Sequence, residues 1–124
     1  MPPTRVLIVD DDPQMRAMLS LVVGLASITA ETAPDADSAV GQVTARCPDA
    51  VLIDVHLKGR DGFALAAELR ARHPALKLLL MSGDIATDTM QERARVLGVQ
   101  FLPKPFDPAA LLALLGAVPS SPEF

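Results

Sequence analysis

The strongest constraint in this chain is a repeated alternation. Short runs that are apolar at every position are followed by segments in which apolar residues recur at helical spacing. Arg5 to Val9 is the first such run; it is rich in branched residues and ends in acids. A strand apolar on both sides of its pleat has to be covered on both faces. Asp12-Pro13 then opens a helix, because Asp caps well and Pro at the first helical position gives up only an amide that has no partner there. This helix carries Met15, Met18, Leu19, Val22 and Val23 at helical spacing and is expected to end at Gly24 in a left-handed conformation. Ser27 to Ala33 reads as a second, weaker strand. Asp35 to Arg46 follows as a helix with Ala39, Val40 and Val43 inward, stopped by Cys47-Pro48. Ala50 to Val55 is the third strand and His56 to Arg60 a loop. Asp61-Gly62 leads a helix through Phe63, Ala66, Ala67 and Leu69 to Arg72, closed by His73-Pro74. Leu76 to Met81 is the fourth strand, with the turn Ser82-Gly83-Asp84 and a helix from about Ile85 to Leu97 after it. Val99 to Leu102 is the fifth strand, Pro103-Lys104-Pro105 a stiff turn, and Pro108 to Leu115 a last helix capped by Asp107.

Strands alternating with helices in steps of about 20 residues imply parallel pairing through right-handed crossovers. A closed eight-fold barrel needs about twice this length, so the expected architecture is α/β, an open doubly wound (βα)5 sheet of five parallel strands. Residues 1–118 are expected to form one domain. Residues 119–124 are expected to be a disordered tail whose end could be a cloning remnant. The 50% apolar and 21% charged composition is that of a soluble domain. A single cysteine, Cys47, can form neither an internal disulfide nor a Cys-rich zinc site, and with no apolar leader after Met1 the expected location is the cytoplasm. No base lies near Cys47 in sequence, which favours a structural role. His56 and His73 are too few and too scattered for zinc. The net charge of -4 and the absence of Tyr and Trp argue against nucleic acid as a direct partner, and no apolar run is long enough for a membrane span.

Ligands of open α/β sheets sit at the carboxyl ends of the strands, where strand order reverses. In this chain those ends carry Asp10-Asp11, Asp54, Ser82 and, just after the fifth strand, Lys104. Clustered carboxylates resist joint ionisation unless a cation sits among them. The expected ion is Mg²⁺, which prefers hard oxygen ligands and binds through one or two carboxylates together with phosphate. A third carboxylate facing it can act as nucleophile on phosphorus. Lys104 would then share the charge of the transferring group, and Ser82 would donate to one of its oxygens.

Taken together, Val6-Leu7-Ile8-Val9-Asp10-Asp11-Asp12-Pro13, Asp54-Val55-His56-Leu57 with Asp61-Gly62, Met81-Ser82-Gly83, and Leu102-Pro103-Lys104-Pro105-Phe106 resemble the receiver domain of two-component response regulators over residues 5 to about 116. The resemblance implies the flavodoxin-like strand order 2-1-3-4-5 and a phosphorylation-activated switch. Asp54 matches the phosphoacceptor, Asp10 and Asp11 the acidic pair that holds Mg²⁺, and His56 the residue that lends its backbone carbonyl to the ion. Ser82 matches the switch hydroxyl, Phe101 the switch aromatic and Lys104 the family's lysine. Lys104-Pro105 resembles the family's cis peptide. Asp12 fits better as a helix cap. A histidine kinase or phosphotransfer protein is the implied donor, and a change in the face made by helix four, strand five and helix five the implied output. Such a chain catalyses only its own phosphorylation and dephosphorylation and is not otherwise an enzyme.

Three positions depart from the pattern. Lys58 stands where many members have proline, which is expected to loosen the loop without touching the ligands. Phe101 lacks the phenol that many members carry. Ala109 to Leu115 is apolar throughout, so the last helix is expected to present an apolar docking or self-dimer surface with strand five and the Met90 to Leu97 helix. The alternative reading is an aspartate-nucleophile phosphatase of the haloacid dehalogenase type, because Asp10-x-Asp12 has that enzyme class's spacing at a first strand.

Overall fold

In chain order the protein forms β1 (Arg5–Val9), α1 (Pro13–Gly24), β2 (Thr29–Ala33), α2 (Ala36–Ala45), β3 (Ala50–Asp54), β4 (His56–Leu57), β5 (Arg60–Asp61), α3 (Gly62–Arg72), β6 (Lys77–Ser82), α4 (Asp88–Leu97), β7 (Gln100–Pro103) and α5 (Pro108–Leu114). This computed structural model describes residues 4–82, 88–103 and 107–116. Five strands pair in parallel in the order β2-β1-β3-β6-β7, and β4 and β5 make a small separate antiparallel hairpin. Counting only the sheet, the order is the expected 2-1-3-4-5.

The three central strands show why their sequences are apolar at every position. Leu7 and Val9 of β1, Val51 and Ile53 of β3, and Leu78 and Leu80 of β6 face a core completed by α2, α3 and α4. Val6 and Ile8, Ala50 and Leu52, and Leu79 and Met81 face a second core completed by α1 and α5. Alternate residues of each strand therefore enter opposite cores, and both faces must be apolar. The edge strand β2 is more polar: Thr29 is exposed, and Glu31 is half-buried and pairs with Arg5 on β1 at 3.1 Å.

Aspartates do much of the local work. Asp12, Asp35, Asp61 and Asp107 cap α1, α2, α3 and α5 by accepting from the amides of Gln14, Ser38, Phe63 and Ala109 at 2.9, 2.7, 2.9 and 3.0 Å. Each bond satisfies an amide that the first helical turn leaves without a partner. Asp49 fastens the start of β1. Its carboxylate accepts from the Thr4 amide (2.8 Å), the Thr4 hydroxyl (2.9 Å) and the Arg5 amide (2.9 Å). These bonds, the Arg5 amide foremost, hold its acidity below the ordinary carboxylate range.

Several boundaries differ from expectation. The first helix ends at Gly24 as expected, but not through a left-handed residue there: its cap, Leu25, is still right-handed, and the positive φ of 60° falls on Ser27. The Ser27 amide closes a turn on the Gly24 carbonyl at 3.0 Å, and the second strand starts at Thr29. On α1, Leu19, Val22 and Val23 are buried, but Met18 is 43% exposed because it lies off the face that meets the sheet. On α3, Phe63, Leu65, Ala66 and Leu69 are buried and Ala67 is exposed. The expected loop 56–60 folds into the β4–β5 hairpin, turning at Lys58-Gly59 with Gly59 at φ 73°. The last helix turns Leu111, Leu112 and Leu115 inward and leaves Ala109, Ala110 and Ala113 outside. Its uniform apolarity thus reflects burial on one side and small residues on the other. Residues 83–87 and 104–106, and the tail after 116, lie outside the described residues.

A Cβ added at Gly62 would overlap the Asp54 carbonyl oxygen and come within 2.8 Å of the Val55 Cα, while one at Gly41 in α2 meets nothing within 4 Å. Gly62→Ala should therefore cost about 1–3 kcal/mol in urea unfolding followed by circular dichroism, and Gly41→Ala should gain up to about 1 kcal/mol. For Asp49 the folded group holds its proton less tightly than the unfolded one, so acid favours the unfolded chain. The stability gap between wild type and Asp49→Ala should be full at pH 7 and close as the pH falls below the usual carboxylate value of about 3.9.

Candidate functional site

The ends of β1 and β3 lie side by side because the two strands pair in register, with Val9 opposite Ile53. The chain leaves β1 toward the core of α1 and leaves β3 toward that of α3, which opens a crevice between them. Asp10 and Asp11 follow β1, and Asp54 ends β3. Each offers one carboxylate oxygen, and these three atoms lie within 4.8 Å of one another. Asp10 is only 1% exposed and Asp54 8%.

Backbone amides hold these carboxylates. The Asp12 amide donates to Asp10 Oδ1 at 2.9 Å and the His56 amide to Asp54 Oδ1 at 3.1 Å. In both cases the side chain bends back on the amide two residues ahead, which is local turn chemistry. Asp11 is held differently: its Oδ2 accepts from the Lys58 amide at 3.1 Å, across 47 residues of chain. This corrects the expectation that Lys58 stands clear of the ligands. The side chain need not approach, since the backbone does so. From α1, Arg16 reaches back and donates through Nη1 to the Asp10 carbonyl at 2.7 Å.

Gly62 sits behind the site. Its amide donates to the Val55 carbonyl at 2.8 Å, and its bare Cα lies against the Asp54-Val55 backbone, where a side chain would collide. The sequence marked Asp61-Gly62 only as a helix entrance. A glycine directly after a capping Asp, at a helical position where it costs stability, was the available signal. Beside the cluster lies an open cleft of about 480 Å³, bordered by Asp11, His56, Lys58, Phe63, Met90 and Arg93. Arg93 Nη2 is 3.2 Å from Asp61 Oδ2, and its guanidinium stacks 4.2 Å above the Phe63 ring, which joins α4 to the start of α3.

The other expected residues are placed as follows. Ser82 is fully buried at the end of β6, one residue beyond Met81, which pairs with Asp54. Phe101 of β7 is half-buried and packs against the core, as do Met90 and Leu97 of α4. Lys104 and the Lys104-Pro105 bond lie outside the described residues. Asp12 caps α1 and is exposed, so it does not join the carboxylates. Cys47, for which the sequence offered no base, is exposed with its Sγ 4.0 Å from His73 Nδ1.

Three hard oxygen donors this close together, two of them largely withdrawn from water, form a set that can hold a metal ion. Among the described residues no helix is long and apolar enough to cross a membrane.

The family model of the response regulator receiver domain matches residues 6–116. Among curated relatives, the DNA-binding transcriptional regulator NtrC of Salmonella typhimurium is 30% identical over 110 residues, covering 89% of this chain and 24% of that protein. The response regulator FleR of Pseudomonas aeruginosa is 34% identical over 124 residues, covering 96% and 26%. The chain thus spans about a quarter of these relatives' length, and DNA binding is a property named for the whole of NtrC. Among solved structures, the receiver domain of NtrX from Brucella abortus superposes with a TM-score of 0.83 at 32% identity, covering 90% of this chain and 94% of that one. Chemotaxis protein CheY4 of Vibrio cholerae gives 0.83 at 26%, covering 91% and 96%. The haloacid dehalogenase alternative is not favoured, since the match falls on another family and Asp12 is occupied as a cap. By fold, by strand order and by the family match, the chain belongs to the receiver domains of two-component response regulators.

Proposed function

We propose that residues 1–118 work as one switch in which Asp54 accepts a phosphoryl group from a histidine kinase or phosphotransfer protein in the cytoplasm. The observation that carries this reading is the meeting of Asp54 with Asp10 and Asp11 at the reversal point of the sheet. Asp10, Asp11 and Asp54, with the backbone carbonyl of His56, would hold Mg²⁺, which supplies positive charge for the phosphoryl oxygens. An Asp54 carboxylate oxygen attacks phosphorus, the bond from phosphorus to the donor's imidazole nitrogen breaks, and an acyl phosphate remains on the chain. Lys104 balances the negative charge of that group, and the Ser82 hydroxyl donates to one of its oxygens. Movement of Ser82 at the end of β6 is passed to Phe101 on the neighbouring β7, which changes the face made by α4, β7 and α5. That face meets a downstream protein or a second copy. The acidic net charge supports protein and not nucleic acid as the direct contact of this chain. Slow hydrolysis of the acyl phosphate within the same site returns the switch to rest.

Incubation with a small phosphodonor and Mg²⁺, read by intact mass, should add one phosphoryl group to the wild type. Asp54→Asn should show none, and a chelator should abolish the label on the wild type. Asp10→Asn should keep Asp54 as the labelled residue but label roughly tenfold or more slowly at limiting Mg²⁺. A phosphoryl group on Asp54→Asn, or mapped to Asp10, would overturn the assignment.

A further inference from the structure

Lys58 does not act where its chemistry suggests. We propose that it is a positioning residue for the cation site through its backbone N–H and not through its ammonium group; this rests on the reading of Asp10, Asp11 and Asp54 as a Mg²⁺ site. Asp10 and Asp54 each accept from the amide two residues ahead of them, within their own strand ends. Asp11 is tied to a segment far away in sequence, through the Lys58 amide at 3.1 Å. It is also more exposed than the other two, at the outer side of the cluster. Two carboxylates beside it would turn it toward water, where its charge is better solvated. A hydrogen bond to a charged acceptor is among the stronger ones and opposes that rotation.

The turn chemistry sharpens the point. Lys58 and Gly59 are the two residues between Leu57 and Arg60, which pair across the hairpin. Gly59 has a φ of 73°, and Lys58 is not among the described residues with positive φ. That is the pattern of a turn whose first position favours proline and whose second favours glycine. A proline at 58 would suit the backbone and stiffen the turn, yet it has no N–H to give Asp11. The chain therefore keeps a donor at a position where the turn alone would accept a residue without one. The β4–β5 hairpin in this way holds the carboxylate that ends β3 through His56 and one that follows β1 through Lys58, spanning the crevice where the ion would sit.

Lys58→Ala and Lys58→Pro separate the amide from the side chain, because both lose the ammonium and only the second loses the N–H. With no tryptophan in the chain, Mg²⁺ affinity is read by calorimetry or by nuclear magnetic resonance titration. Lys58→Ala should bind Mg²⁺ within about twofold of wild type, and Lys58→Pro about three- to tenfold more weakly than Lys58→Ala. The metal-free Pro variant should unfold no more easily than the Ala variant, since the turn accepts proline. Without metal, the Lys58 amide should exchange slowly with solvent in wild type and faster in Asp11→Ala. Equal Mg²⁺ affinity in the Pro and Ala variants overturns the proposal. So does an equal loss in both relative to wild type, or Lys58 exchange that ignores Asp11→Ala. A wild type that binds no Mg²⁺ overturns the cation reading and this role with it. That outcome is distinct from a wild type that binds while Lys58→Pro matches Lys58→Ala.

Discussion

Three carboxylate oxygens held within 4.8 Å of one another are the constraint around which the rest of this molecule is arranged. Left to themselves, such charges separate or take up protons. Several features of the fold oppose that. Two of the carboxylates sit at the ends of fully buried, register-locked strands, so that moving them means moving the sheet. Backbone amides of Asp12, His56 and Lys58 each donate to one of them. The Arg16 guanidinium comes back from α1 to the Asp10 carbonyl and brings a positive charge next to the cluster. The repulsion that remains would be relieved by a small hard cation among the carboxylates, which the scaffold leaves room to bind without rearrangement.

The same constraint explains how an event at Asp54 can be felt elsewhere. The Asp54-Val55 backbone is packed against Gly62 too closely for any side chain between them, so β3 and the first turn of α3 are mechanically continuous. Asp61, which caps that turn through one oxygen, meets Arg93 of α4 through the other, and Arg93 lies over Phe63. A continuous chain of contacts thus leads from the proposed acceptor through a glycine, a cap and an ion pair to α4. The ion pair itself is about half exposed and adds little stability. Its significance is geometric: with the stacking of Arg93 on Phe63 it links α4 to the start of α3. On the same face of the sheet, Ser82 and Phe101 occupy adjacent strands, β6 and β7, and Phe101 packs against the core that Met90 and Leu97 of α4 also meet.

Much of this was legible in the sequence because it is periodic or local. Continuous apolarity in β1, β3 and β6 reports two covered faces, and the Asp-Pro and Asp-Gly pairs report helix entrances. Asp10, Asp11 and Asp54 could be brought together on paper, since the topology of an open parallel sheet decides which strand ends adjoin. What escaped has a common character. Gly62 looked like part of a helix entrance because its reason is a contact with the backbone of another segment, which leaves no trace in spacing. Lys58 looked like a displaced side chain because its contribution is an amide, and every residue except proline has one. Met18 looked like a core residue because helical spacing gives a face but not its width; α1 buries a stripe narrow enough to leave Met18 at its edge. The last helix was hard to read for the opposite reason. Alanines outside and leucines inside make it uniformly apolar, and only residue size, not hydrophobicity, distinguishes its two sides. Sequence patterns thus report what a segment does along its own axis. Contacts at the site are set by how closely two segments approach, and at the closest approaches the decisive atoms belong to the backbone.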